Sequence, residues 1–182
     1  MYNKRFCAGG WRVTDVQRLR EADSVGRLRA VSGAVVQIFV APTEGVPMQA
    51  VGEIEAVAGR GLQGDRYSQR NGYWTTSGDE CEVTLIESEC LEEIRAKTGV
   101  SVESGEHRRN IITQGIRLDS LLGKRFQVGT AIFEYDRPRP PCGHIESLTE
   151  AGMTRALLGR GGICARVVGS GTIRTHDPIE VL

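Results

Sequence analysis

The chain has 182 residues, 40% of them hydrophobic and 25% charged, which is typical of one globular domain with its own core. Its formal net charge is zero, so composition predicts no general attraction to nucleic acid or to an anionic membrane. We therefore expect neither of these as a partner.

Residues 1–30 differ from the rest of the chain. A stretch at 14–28 is charged and has few apolar residues, so it predicts a loose helix capped by Thr14, or a tail. From residue 31 the pattern changes to runs of β-branched residues. We interpret 1–30 as an N-terminal extension that is flexible or poorly docked, and 31–182 as the folded domain.

The folded part predicts many short strands and few helices. A helix is expected at 87–98, stopped by Gly99, with Cys90, Leu91, Ile94 and Ala96 facing inward. Strands are expected at 31–41, 51–58, 82–86, 110–114, 126–129, 130–135, 163–168 and 172–174, a helical turn at 117–122 and a short helix at 148–158. The last two strands are predicted to form a hairpin. With twenty-three glycines for turns, this pattern predicts a mainly β fold, a β-barrel with peripheral helices.

The segment 137–144 carries the strongest chemical signal. Its three prolines stiffen the chain, and two arginines and a histidine surround Cys142 in sequence. Positive charge favours the thiolate, which attacks electrophiles and binds soft metals, so we take Cys142 as the reactive centre. If the chain is extended, His144 lies on the same face and can act as a base or tuning group. Cys-x-His alone supplies too few ligands for structural zinc.

Two further motifs are candidates for binding an anion. In the motif at 61–66, Gly64 allows backbone N–H groups to approach a ligand, but Asp65 can equally bond its own backbone in a tight turn. At 160–162, Arg160 and Gly161 can wrap a phosphate with a guanidinium and backbone amides, and a plain glycine turn is the alternative.

A third motif precedes a predicted strand. Arg108 and Arg109 are adjacent, so an extended chain would send them to opposite sides, one towards a pocket. Asn110 offers both donor and acceptor groups. A solvated charged loop is the alternative, and His107 is expected to be an exposed loop histidine.

The remaining cysteines show no paired motif. Cys7, Cys81, Cys90 and Cys164 are scattered, no C-x-x-C occurs, and free buried thiols are common in cores. The sequence has no apolar run long enough for a membrane span and no apolar segment typical of a secretory signal. We therefore expect a cytoplasmic protein in a reducing compartment.

Taken in order, these pieces resemble the MOSC domain, named for the C-terminal domain of molybdenum-cofactor sulfurase. The resemblance covers 31–182 and rests on GLQGDR at 61–66, VTLIE at 83–87, RRNI at 108–111 with Gly115 and Leu118, LGKRFQVG at 122–129, PC at 141–142, RGG at 160–162 and GTIR at 171–174 with Asp177. It implies a MOSC-type β-barrel with a pocket and a catalytic or ligating cysteine at Cys142. Two positions depart from the family: Arg139 stands where relatives often have a second cysteine, and His176 where glycine is usual.

The resemblance implies two functions, which the sequence leaves open. In the first, the chain binds molybdenum cofactor (molybdopterin), with Cys142 as the molybdenum ligand and a small-molecule substrate, such as an N-hydroxylated compound to be reduced. Its cofactor-binding residues would be Gly64, Asp65, Arg108, Arg109, Asn110, Arg160 and Gly161. The sequence has no flavin, haem or nicotinamide signature, so reduction needs an electron-donor redox protein.

In the second, Cys142 carries sulfur as a persulfide and the chain has no cofactor of its own. Pyridoxal phosphate then belongs to a partner cysteine desulfurase. A third hypothesis, from a different class, is a non-enzymatic barrel that binds an anionic ligand or a protein partner.

Overall fold

A computed structural model of the chain describes residues 31–78 and 80–182. The predicted extension, with its helix at 14–28 and Cys7, lies outside the described residues. The described strands are β1 (Val31–Val40), β2 (Gln49–Val51), β3 (Glu53–Val57), β4 (Gly61–Leu62), β5 (Val83–Glu87), β6 (Ile111–Gln114), β7 (Arg125–Val128), β8 (Ala131–Pro138), β9 (Ile163–Gly169), β10 (Gly171–Arg174) and β11 (Pro178–Val181). The helices are α1 (Ser88–Thr98), α2 (Gly143–Leu148) and α3 (Met153–Ala156), and Leu118–Leu121 forms a 3₁₀ turn.

Seven strands close into a barrel in the order β11-β7-β8-β9-β5-β6-β1, because β1 also pairs with β11. Strand β1 is long enough to pair with two strands along one edge: its first half pairs with β11 and its second half with β2. The β5–β6 pair is parallel and is joined through α1, whereas the other pairs of the barrel are antiparallel. The predicted fold class, mainly β with a few peripheral helices, is confirmed.

Alternation along the strands separates two hydrophobic cores. Leu85 and Ile111 point into the barrel, and their neighbours Ile86 and Ile112 point outward against the helices. The outer core is completed by residues of α1, α2 and α3, including Ile94, which is 1% exposed. The helices therefore cover one face of the barrel, next to the ends of β5 and β6.

Helix α1 matches its predicted range. Gly99 ends it in the left-handed conformation (φ 70°), and Leu91 and Ile94 are buried as expected. Two inward positions were predicted wrongly: Cys90 is half-buried and Ala96 is exposed. The predicted helix at 148–158 is also wrong, because Gly152 has a positive φ of 92° and separates the shorter helices α2 and α3.

The predicted hairpin of the last two strands does not form. Strand β10 leaves the barrel and pairs with β3, which pairs with β4 in a separate three-stranded sheet. The turn chemistry of Gly169 and Gly171 is compatible with a hairpin, but β10 pairs with a strand more than a hundred residues earlier, which no local signal specifies.

Two buried cysteines are joined, which corrects the expectation that both are free thiols. Cys81 precedes β5 and Cys164 lies in β9, and the antiparallel pairing of these strands brings their Cα atoms within 5.7 Å in a disulfide. Among the described residues, Cys90 and Cys142 are the free cysteines. A disulfide is unusual for a reducing compartment.

No helix within residues 31–78 and 80–182 has the length and apolar character that crossing a membrane requires.

Candidate functional site

Cys142 lies on a small cavity of about 50 Å³ between the barrel and α2. Its walls include residues 139–142 after β8, the pair Arg108 and Arg109 before β6, and the turns that follow β4; α2, Thr84 of β5 and the loop between β1 and β2 also contribute. The charged lining is strongly positive, because four guanidinium groups face one carboxylate, that of Glu44. The four are Arg66, Arg108, Arg109 and Arg139.

The backbone holds Cys142 in place directly before α2. Its φ and ψ of −135° and 164° are extended, and its carbonyl oxygen accepts hydrogen bonds from the backbone N–H of Ile145 (3.1 Å) and the hydroxyl of Thr154 (3.2 Å). Upstream, the Arg139 N–H donates to the carbonyl oxygen of Gly162 (2.8 Å). The thiol is therefore half-buried at the end of a segment that is tied down on both sides.

His144 reaches the same cavity by another route than predicted. The chain is not extended through it, because helix α2 begins at Gly143. Its ring stacks on Tyr73 at a centroid distance of 3.7 Å and an interplanar angle of 17°, and its Nε2 lies 4.0 Å from the Glu44 carboxylate. Tyr73 also packs edge-on against Trp74, so aromatic rings line the cavity beside the α2 residue His144.

Arg109 is a buried cation whose hydrogen-bond acceptors are neutral. Its Nε donates to the Gly161 carbonyl (2.7 Å), its Nη1 to the His107 carbonyl (3.1 Å) and its Nη2 to the Arg139 carbonyl (3.4 Å). Burial first, and then the charge of Arg139, lower the pKa of Arg109 to about 9, while the negative charge of the Cys142 thiolate acts in the opposite direction. The guanidinium is therefore charged at neutral pH.

Arg108 lines the cavity as well, although adjacent arginines were expected on opposite sides. The alternation fails because Arg108 has a φ of 58°, a left-handed conformation that is uncommon for residues other than glycine. Its Nη1 donates to the Val46 carbonyl, and burial and the nearby Arg66 lower the pKa of its guanidinium to about 10. Backbone strain of this kind is concentrated at functional sites.

Asp65 and Asn110 lie behind the cavity wall and support it. The Asp65 carboxylate is fully buried and accepts hydrogen bonds from the Ala41 N–H (3.1 Å), the Arg66 guanidinium (3.2 Å) and the Asn110 amide (3.2 Å). It also accepts a hydrogen bond from the Tyr67 N–H (3.2 Å). This bond closes the tight turn that the sequence offered as the alternative for this loop.

The amide oxygen of Asn110 accepts from both the N–H and the hydroxyl of Thr84, so both polar ends of this side chain are occupied within the protein. Gly64, next to Asp65, has a φ of 80° and serves the turn.

The structure does not bring Arg160 to Cys142. The Arg160 guanidinium pairs with Glu93 of α1 at 3.0 and 3.1 Å and lines a neighbouring open cleft of about 830 Å³, which shares Arg139 and Pro140 with the Cys142 cavity. Gly161 contributes its carbonyl to Arg109, and a Cβ on it would lie 2.1 Å from the Arg139 carbonyl oxygen. The RGG motif thus packs the Cys142 segment against the barrel and forms no phosphate loop in this cavity.

Comparison with known proteins agrees with this architecture. The family model of the MOSC domain matches residues 72–180, more than half of the chain. The chain belongs to the MOSC domain family. MOSC domains are associated with binding of the molybdenum cofactor. No curated protein matches the sequence significantly.

Solved structures share the MOSC fold at low sequence identity. The YuaD protein from Bacillus subtilis has a TM-score of 0.67 and 21% identity over 82% of this chain and 94% of its own. YiiM from Escherichia coli has a TM-score of 0.58 and 16% identity over 82% of this chain and 69% of its own. YiiM from Geobacillus stearothermophilus has a TM-score of 0.58 and 17% identity over 84% and 74%. At these identities the likeness establishes the fold alone.

The MOSC cavity contains residues that sequence analysis did not select. Arg66 and Arg139 lay inside motifs that had been singled out, but nothing local distinguished them from surface arginines. Tyr73 and Trp74 are adjacent aromatic residues in a chain whose aromatic content is only 5%, which is a usable signal. Glu44 carried no signal, because its loop reaches the cavity only through the fold.

The donor chemistry of this MOSC cavity fits a molybdenum cofactor. A thiolate suits a soft metal, and the guanidinium groups of Arg108 and Arg109, whose hydrogen-bond acceptors are carbonyls, suit a phosphate. The volume of about 50 Å³ is below the roughly 300–1,000 Å³ of ordinary ligand pockets. A pterin is larger than this cavity, so the fit lies in the donor groups and not in the volume of the cavity.

Proposed function

We propose that this MOSC domain binds molybdenum cofactor, with Cys142 as a thiolate ligand to molybdenum. The observation that carries the proposal is the cluster of Arg66, Arg108, Arg109 and Arg139 around a half-buried free cysteine, with Glu44 as the only carboxylate among the described lining residues. Arg108 and Arg109 are buried cations whose hydrogen-bond acceptors are neutral carbonyls; such cations are costly for a fold, so their retention is explained if an anion completes them.

Two arginines and two aromatic rings of the cavity have defined roles in this proposal. Arg109 and Arg108 face the phosphate of the cofactor, since their guanidinium groups keep free N–H donors after bonding to carbonyls. His144 and Tyr73 supply a flat stacked surface beside Cys142. When bound, the cofactor supplies two-electron chemistry at molybdenum. A redox protein would deliver the electrons for a reductase acting on a small N-hydroxylated substrate.

Metal and pterin analysis tests the proposal. Protein expressed with molybdate is expected to contain molybdenum and pterin, and Cys142→Ser is expected to lose the metal. Cys90→Ser is the matched control, because Cys90 is the other free cysteine among the described residues and lines the neighbouring cleft that contains Arg160. A wild type without molybdenum and pterin, under conditions that load a known molybdoenzyme, contradicts the proposal.

A second candidate, sulfur carriage, is favoured by the small volume of the cavity, which suits a persulfide better than a pterin. The Cys142 thiolate would attack the outer sulfur of a persulfide on a cysteine desulfurase, whose own thiolate would leave with the bonding electrons. The product is a persulfide on Cys142, and pyridoxal phosphate stays with the desulfurase. Intact mass after incubation with a desulfurase and cysteine is expected to show one added sulfur that is absent in Cys142→Ala.

Substitutions of Arg108 and Arg160 are expected to differ in their effect on anion binding. Arg108→Gln is expected to weaken binding of inorganic phosphate by about 10- to 100-fold, the effect of losing a charge-assisted hydrogen bond of roughly 1.5–3 kcal/mol. Arg160→Gln is the matched control and is expected to bind phosphate like the wild type, because Arg160 pairs with Glu93 on the other cleft. Isothermal titration calorimetry measures both, and equal losses in the two variants contradict the assignment of Arg108.

A further inference from the structure

His107 has no task in the proposed function, yet it is one of the most deeply buried side chains. The sequence predicts an exposed loop histidine; instead His107 is 0% exposed. Its ring packs edge-on against Phe39 at a centroid distance of 5.4 Å and an angle of 81°. The surroundings are apolar on this side, so a leucine or phenylalanine would be the simpler choice for packing alone.

Two hydrogen bonds connect His107 to Arg109. The backbone N–H of Arg109 donates to His107 Nδ1 at 3.0 Å, and the Arg109 Nη1 donates to the His107 carbonyl oxygen at 3.1 Å. Arg109 is thus held both at its backbone and at its guanidinium by one residue. We propose that His107 is a positioning residue that holds Arg109 for anion binding in the Cys142 cavity. This inference rests on the proposed function, in that it takes Arg109 as part of the anion site.

The hydrogen-bond pattern determines the form of the imidazole. Because Nδ1 accepts a hydrogen bond, the proton of the neutral ring must be on Nε2. Burial, and secondarily the charge of Arg109, lower the pKa of His107 to about 3, so the ring stays neutral at physiological pH. A neutral ring adds no repulsion to Arg109, whereas a charged one would.

The other ring nitrogen shows that this arrangement costs stability. Nε2 of His107 is buried and has no hydrogen-bond partner among the described residues. A buried donor without a partner is unfavourable, and natural structures contain few of them. A histidine retained despite this cost is explained by what Nδ1 does for Arg109.

Substitution at His107 tests the inference, with inorganic phosphate as the probe. His107→Asn can place an amide oxygen near the position of Nδ1, whereas His107→Leu keeps apolar volume and removes the acceptor. His107→Leu is expected to weaken phosphate binding about 10-fold, and His107→Asn to remain within about threefold of the wild type, because the lost hydrogen bond is roughly 1–1.5 kcal/mol. The phosphate affinity of Arg109→Met gives the reference for complete loss of the guanidinium.

Several outcomes overturn the inference. Wild-type affinity in His107→Leu, or equal losses in His107→Leu and His107→Asn, means that His107 only packs. A wild type that binds no phosphate also overturns it, because Arg109 then has no anion to hold. Failure of the proposed function appears elsewhere, in the molybdenum and pterin content.

A measurement on the wild type covers the case in which His107→Leu does not fold. The ¹⁵N chemical shifts of the histidine rings report which nitrogen carries the proton. The expected result is an Nδ1 without a proton that is coupled through its hydrogen bond to the Arg109 amide. A proton on Nδ1 of His107 overturns the inference without any variant.

Discussion

Asp65→Ala is expected to lower the free energy of unfolding by about 3–5 kcal/mol, the usual cost of removing one partner from a buried ion pair. Asp65 is fully buried and pairs with the Arg66 guanidinium at 3.2 Å. Its loss also leaves the Ala41 N–H, the Tyr67 N–H and one amide hydrogen of Asn110 without their acceptor. The result is an uncompensated buried cation beside three unsatisfied donors. Urea denaturation followed by circular dichroism measures the change.

A matched carboxylate at the surface serves as the control. The side chain of Asp119 is 80% exposed and lies 3.9 Å from an equally exposed guanidinium, that of Arg117. Asp119→Ala is therefore expected to change stability by less than about 1 kcal/mol. The loss of stability in Asp65→Asn is expected to lie between those of Asp65→Ala and Asp119→Ala. The asparagine keeps one acceptor oxygen, but its amide N–H₂ group faces the remaining donors. Equal stabilities of Asp65→Ala and Asp119→Ala contradict the importance of this network.

The free energy of unfolding is expected to decrease when the pH is lowered, because of the buried imidazole of His107. The folded state holds the pKa of this imidazole at about 3, below its ordinary value of 6.5, so the unfolded chain binds a proton that the folded chain does not. The stability linked to His107 is therefore complete above about pH 6.5 and is lost as the pH falls towards 3. Between pH 6 and pH 4 this linkage amounts to about 2–3 kcal/mol.

The variant His107→Asn isolates this contribution, because an amide does not titrate. Urea denaturation at pH 6 and pH 4 is expected to show that the wild type loses about 2–3 kcal/mol more than His107→Asn over this interval. Other groups contribute equally to both proteins, such as Glu93, whose pKa is lowered to about 2 by its hydrogen bond to Arg160. The same pH slope in both proteins would falsify the neutral, buried state of His107.

Local sequence signals predicted the elements that depend on neighbouring residues. The β-branched run of β1, the helix α1 and its stop at Gly99 follow from propensity and capping, which act over a few residues. The prediction that Cys142 is the reactive cysteine rests on its prolines and charged neighbours, and the structure places this free cysteine on a cavity. The order of the motifs indicated membership of the MOSC family, which the family model confirms.

Pairings between distant residues could not be predicted in this way. Nothing near Cys81 points to Cys164, which is 83 residues away, and only the pairing of β5 with β9 brings them together. Arg108 and Arg160 have the same side chain in similar glycine-containing loops, yet one lines the Cys142 cavity and the other faces α1. Burial of His107 likewise depends on Phe39 of β1, far away in sequence.

The sequence by itself determined that this chain forms a glycine-rich, mainly β domain with one chemically distinctive cysteine, because backbone preferences and neighbouring charges are properties of short segments. Only the tertiary structure decided which arginines surround Cys142, which cysteines join and which histidine is kept neutral. The physical reason is the closure of the barrel: strand register sets which side chains from distant segments share one small, poorly solvated space, and that space sets their charge and partners.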